Sequence, residues 1–162
     1  MQIADLATIY RVNYRFTERP VSVAGDLRPL WRFASVCVIL SHCRAQTATL
    51  KQLHVLNWAL RDKANRDLFL ATLADAPPVL PIVRIEPSLN RAVDLALGET
   101  LIHRINSATG SRIELADKGA SLAKKIEETA EAFAEEKAFF DAIGRKVTSV
   151  MIDRILQWNN LL

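Results

Sequence analysis

The stretch Leu50–Arg66, LKQLHVLNWALRDKANR, decides how the rest of the chain is read. Leu50, Leu53, Leu56 (or Asn57) and Leu60 recur at three- and four-residue spacing, which predicts an amphipathic helix with one buried stripe. Thr47 or Thr49 is placed to cap it, because a hydroxyl accepts a hydrogen bond from an otherwise unpaired amide of the first turn. The helix is expected to stop near Arg61 and Asp62, where Asn65 can cap a second one running through Leu68, Phe69 and Leu70 to Ala74. Two short helices meeting at a tight corner form the first half of a helix-turn-helix.

Toward the N-terminus, Asp26 and Pro29 open a strongly apolar helix through Leu30, Trp31, Phe33, Ala34, Val36, Cys37, Ile39 and Leu40. It is apolar nearly all round, so it is expected to be the central buried helix. Before it, residues 2–9 read as a short helix, whereas Val12, Tyr14 and Phe16 alternate with Arg11, Asn13 and Arg15 like a half-buried strand. This part is expected to be an arm, residues 1–25.

Toward the C-terminus, Asp75-Ala-Pro-Pro breaks the second helix, and Ile82, Val83 and Ile85 form a short β-prone run. Pro87 and Ser88 open a third helix with Leu89, Ala92, Val93 and Ala96 on its buried side and Gly98 as its stop. Leu101–Asn106 is strand-like, Ser107–Gly110 is a turn, Arg112–Leu115 alternates as a returning strand, and Ala116–Gly119 turns into another helix. Helix, strand, glycine-bearing turn, strand and helix after a helix pair is the layout of a winged helix. The segment LIHRINSATGSRIELADKGASLAKKI resembles the wing and exit helix of many bacterial winged-helix proteins. From Gly119 one long helix is expected, carrying Leu122, Ile126, Thr129, Phe133, Lys137 and Phe140 at nearly heptad spacing, with an acidic opposite face. Gly144 interrupts it, and a last helix from Lys146 to Trp158 shows a wide apolar stripe. The expected fold is therefore mainly α: a winged helix-turn-helix core over 26–119 with a two-stranded β-wing, and a C-terminal helical extension over 120–162.

The chain has 162 residues, half of them hydrophobic, and a formal net charge of +3. The positive excess is N-terminal: residues 1–75 carry +4, residues 76–119 are neutral and residues 120–162 carry −1. No apolar run is long enough to span a bilayer, and MQIADLATIYRV lacks the basic start and apolar core of a signal peptide, so a cytoplasmic location is expected. Cys37 and Cys43 fall on different faces of one helix, as core thiols in a reducing compartment.

No catalytic constellation is visible. His42, His54 and His103 sit on separate elements, without HExxH or CxxC, and the adjacent His42 and Cys43 diverge by about 100° around a helix. The five glycines are isolated, so no phosphate-cradling loop is present, and no serine stands in GxSxG. The expectation is a non-enzyme with no cofactor and no metal. Candidate DNA contacts are Asn90 and Arg91 on the third helix and Arg104 and Arg112 on the wing. Asp94 and Glu114 oppose them, and with zero local net charge the counterion-release contribution to DNA affinity is small. Trp31 and Trp58 read as core, and Arg61, Lys63 and Arg66 as a solvated helix end. The wide stripe of the last helix nominates Trp158, Leu161 and Leu162 as candidate partner-binding residues.

The stretch RPLWRFASVCVILSHCRAQTATLKQLHVLNWALRDKANRDLFL resembles the middle component of bacterial ABC-three-component systems, the group that includes Lamassu-type defence operons. The residues that carry the likeness are Arg28 and Pro29, the apolar helix after them, Leu53-His54, Leu56-Asn57-Trp58-Ala59-Leu60-Arg61, and Asn65-Arg66. The resemblance implies a small accessory subunit beside an SMC-like ABC ATPase and an effector, often a nuclease, acting against phage or plasmids. DNA contact within such a complex is compatible with it. The alternative is a winged-helix transcription regulator resting on Asn90, Arg91, Arg104 and Arg112.

Overall fold

The computed structural model of the chain describes residues 28–74, 82–107, 110–144 and 147–159, so the N-terminal arm lies outside the described residues, as does Asp26. The elements, in order, are α1 Pro29–His42, β1 Thr47–Ala48, α2 Leu50–Leu60, α3 Lys63–Leu73, α4 Pro87–Gly98, β2 Ile102–Ser107, β3 Gly110–Leu115, α5 Asp117–Glu128, α6 Ala134–Ile143 and α7 Ser149–Asn159. The chain is mainly helical, with one three-stranded antiparallel sheet in the order β1-β3-β2.

Pro29 fits the first turn of α1 because its missing amide would be unpaired there in any case. Ala34 through Leu40 are buried without a break, and α1 packs against α2, α4 and α5 as the expected central helix. At the start of α2 the Thr49 hydroxyl accepts the Gln52 amide at 3.2 Å while Gln52 Oε1 accepts the Thr49 amide at 2.8 Å, a reciprocal capping box. The single-stripe expectation for α2 does not hold: Gln52 through Leu60 are all buried, whereas Leu50 is 41 % exposed. The cause is tertiary, since α1, α3, α7 and β1 together leave residues 52–60 no solvent face.

Asp62, not Asn65, caps α3, its carboxylate accepting the Asn65 amide at 2.8 Å. The Asn65 side chain instead donates to the Trp58 carbonyl at 2.9 Å, and Arg66 Nη1 donates to the Leu60 carbonyl at 3.1 Å. The Asn65 bond adds a second donor to the Trp58 carbonyl, which the Arg61 amide reaches at 3.3 Å, and the Arg66 bond satisfies the Leu60 carbonyl that α2 leaves unpaired at its end. In α4 the buried residues are Leu89, Ala92, Val93 and Ala96, the predicted face. Residues 82–86 lie outside any strand.

β2 and β3 pair from Ile102↔Leu115 to Ser107↔Gly110, and β1 adds Thr47↔Glu114 and Ala48↔Ile113 on the other edge of β3. α5 follows directly, and its Gly119 is dictated by space. A Cβ there would stand 2.1 Å from the Leu101 carbonyl oxygen, which is backbone and cannot rotate away.

The long helix expected from Gly119 to Gly144 is two helices. Thr129 leaves α5 with φ −92° and ψ 105°, and Phe133 precedes α6 in the left-handed region at φ 54°. Lys137 Nζ compensates the break by donating to the carbonyls of Thr129 at 2.8 Å and Ile126 at 3.0 Å, while the Phe133 ring stacks on Trp31 at 5.2 Å. The residues at heptad spacing are thus divided between two packing directions. Gly144 ends α6 at φ 53°, as expected of a glycine stop. α7 begins at Ser149 rather than Lys146, with the Thr148 hydroxyl accepting the Met151 amide at 3.3 Å. No described helix is long and apolar enough to cross a membrane.

Candidate functional site

A groove of about 330 Å³ lies between α4 and the sheet, lined by Leu50, Asn90, Asp94, Arg104, Ser111 and Ile113 among others. Asn90 and Asp94 stand one turn apart on α4, and Arg104 of β2 is the cross-strand neighbour of Ile113, which puts both on the groove side of the sheet. Asn90 Oδ1 accepts from His54 Nε2 at 3.0 Å, so the Asn90 amide nitrogen is left as the donor available to the groove.

His54 is only 5 % exposed, and its Nδ1 is enclosed without a hydrogen-bond partner. Burial pushes the His54 pKa below its ordinary value; the Asn90 bond and the Glu86 carboxylate oppose that shift without cancelling it. The neutral imidazole is therefore the form that holds Asn90 in place. In the groove itself, Arg104 and Asp94 face the same space with opposite charge.

The four candidate DNA contacts separate in space. Asn90 and Arg104 share the groove, and Arg91 is exposed on α4 but does not line it. Arg112 is turned to β1: its Nε donates to Thr47 Oγ1 at 3.2 Å and its Nη2 to the Thr47 carbonyl at 3.2 Å and hydroxyl at 3.0 Å. The guanidinium thereby clamps a two-residue strand that backbone pairing alone holds weakly.

α7 packs against α2, with Ile152 and Ile155 buried, Met151 and Leu156 partly buried, and Val150 exposed. Val147, just before it, packs on the same core. Lys51 and Asp153 pair across this contact at 3.7 Å. Trp158 belongs to α7, but its side chain lies outside the described residues, as do Leu161 and Leu162 entirely.

Glu86 is a hub that the residue pattern did not reveal. Its two oxygens accept from Arg32 Nη1 at 3.2 Å and Arg61 Nη1 at 2.7 Å, joining the start of α1, the end of α2 and the entry to α4. An acidic residue directly before a proline-led helix was the available signal. His42 bonds Glu127 at 2.9 Å and stacks on Phe140 at 4.5 Å, and both cysteines are free, their pKa values raised by burial to about 11. Among the described residues no three His, Cys, Asp or Glu side chains are grouped to hold a metal ion. The chain matches no protein-family model, no curated protein and no solved structure.

Proposed function

We propose that this chain is a non-catalytic adaptor subunit of an SMC-like ABC ATPase defence complex, linking DNA sensing by the ATPase to control of an effector nuclease. In this reading α1, α2 and α4 are the three helices of a winged helix, α3 is inserted before the last of them, and β2–β3 is the wing. The order of β1 after the first helix and β2 and β3 after the last, with β3 central in the sheet, supports it.

The observation that carries the adaptor reading is the state of the arginines. Arg112 is turned to Thr47, Arg104 shares its groove with Asp94, and Arg91 does not line that groove, so the four candidates do not form one phosphate-binding surface. DNA affinity scales with the number of phosphates neutralised, which disfavours autonomous binding. The cytoplasm is the compartment this role requires.

The test is co-expression with the products of the neighbouring genes, which this reading expects to include an SMC-like ATPase and an effector. The subunit is expected to co-purify with the ATPase and, alone at low salt, to show no preference for its own promoter over random duplex. A sequence-specific, salt-dependent shift by the isolated chain would favour the second reading, a transcription regulator. That reading draws on Asn90 and Arg104 facing one groove with hydrogen-bond donors.

A further inference from the structure

A small cavity, of about 50 Å³, is formed by the end of α1, the turn into β1, the first turn of α2, β3 and the end of α6. Its polar lining is rich in donors. Arg44, Gln52 and Arg112 face it together with Thr47 and Cys43, and among the described residues no Asp or Glu lines it, not even Glu114, two positions along β3 from Arg112. Arg112 is half-buried, and Thr47 occupies only its Nε and Nη2. Nη1 therefore keeps two N–H donors that make no hydrogen bond among the described residues. The buried Gln52 has its Oε1 held by the Thr49 amide, which leaves its side-chain nitrogen as a further donor.

Backbone strain brings Arg44 to the same place. Ala45 and Gln46 both adopt φ 54°, the left-handed region that non-glycine residues rarely enter, and this turn sets Arg44 and Thr47 on the wall of one cavity. The carbonyl ends of α1 and α6 border it and contribute roughly half a negative charge each, opposed by the amino end of α2, so two guanidiniums leave the site positive. Desolvating a guanidinium without a matching anion is costly. Asp141 lines only the neighbouring cavity of about 410 Å³, which shares the walls His42, Cys43, Phe140 and Gly144. A water needs about 10–15 Å³ by the same measure, so the smaller cavity admits the few heavy atoms of one tetrahedral oxyanion and excludes a base or a sugar.

We propose that this cavity binds a phosphoryl group, either as inorganic phosphate or as the head of a small phosphomonoester whose alcohol part occupies the adjoining larger cavity. Arg112 Nη1 and Arg44 give its oxygens charge-assisted hydrogen bonds, and the Gln52 amide gives a neutral one. Donors from three separate elements suit the three or four oxygens of a phosphoryl group better than the two of a carboxylate. The site stands apart from the α4 groove and from the adaptor reading, and each can fail without the other.

The full-length chain is titrated with inorganic phosphate, glycerol 3-phosphate and acetate at constant ionic strength, and binding is read by calorimetry and from the Arg112 Nε–H and Gln52 side-chain amide resonances. Saturable phosphate binding is expected at a concentration roughly tenfold below that of acetate. Tighter binding of glycerol 3-phosphate than of phosphate assigns the site to the monoester, and equal or weaker binding assigns it to the free ion. Gln52→Glu keeps the capping box, since a glutamate oxygen accepts the Thr49 amide equally well, but sets a carboxylate against the anion. It is expected to abolish phosphate binding while circular dichroism and the unfolding midpoint stay as in the native chain. Arg44→Gln, at an exposed residue outside the capping box, is expected to weaken phosphate roughly tenfold. Acetate binding as tightly as phosphate, no saturation at millimolar phosphate, or unchanged phosphate affinity in either variant overturns the proposal.

Discussion

α2 and α5 both pack on α1, yet they are held by opposite means. α2 buries all of Gln52–Leu60, including the polar Gln52, His54 and Asn57, whereas the buried residues of α5 are only Gly119 and Ala123. In α2 each buried polar group needs its own arrangement: Gln52 completes the capping box, His54 bonds Asn90, and Asn57 faces a cavity. In α5 nothing polar is buried: Ala123 and the partly buried Ala120, Leu122 and Ile126 pack on the core, and Gly119 lets the helix come close to Leu101. One helix is specified by volume and by where its buried polar groups sit, the other by close approach where a side chain is absent.

Substitutions test that contrast. Leu53 is fully buried in α2, so Leu53→Ala is expected to cost about 2–5 kcal/mol in denaturant unfolding, while Lys124→Ala on the solvent face of α5 stays within about 0.5 kcal/mol. Comparable losses from the two would erase the distinction. Gly119→Ala should cost about 1–3 kcal/mol, because the new methyl group meets the Leu101 carbonyl oxygen at 2.1 Å and the helix must shift. A neutral result there would mean that α5 is not held by close approach.

The smallest effect belongs to His54. Its folded pKa lies below that of the unfolded chain, so the unfolded state binds the proton more readily. The stability tied to neutral His54 is fully present above the unfolded value, near 6.5, and is lost as pH falls through the folded value. The unfolding midpoint of the native chain is therefore expected to drop on mild acidification, and His54→Gln to flatten that dependence. Parallel profiles for the two proteins would remove His54 as the cause.

How much of this was legible depended on whether the cause was local. The buried face of α4 and the existence of the β2–β3 pair follow from period and turn chemistry within a few residues; the helix cap is Thr49, one of the two threonines the sequence offers, and the strands run on to Ser107 and Gly110, inside the expected turn. β1 was missed because two residues have no period, and Thr47 belongs to the sheet through Glu114 and Arg112, which are far along the chain. The division between α5 and α6 was missed because neither glycine nor proline marks it. It depends on Lys137 reaching back to three carbonyls and on Phe133 meeting Trp31. The cap of α3 was assigned to Asn65 instead of Asp62 because both residue types cap well, and only the geometry of the corner separates them. Of the candidate site, Asn90 and Arg104 meet in one groove, but the His54 bond behind Asn90 joins residues 36 positions apart and leaves no local trace.

The Glu86 hub bears on how this chain can vary in length. With its carboxylate held by Arg32 and Arg61, the start of α4 is moored to α1 and α2 rather than to the end of α3. Val83, three residues before Glu86, is buried in the core, so the approach to α4 is anchored at two points. Loop closure costs only about 0.6 kcal/mol for each doubling of loop length. Length changes ahead of Val83 should therefore be tolerated, whereas those between Val83 and Pro87 would pull α4 off its mooring.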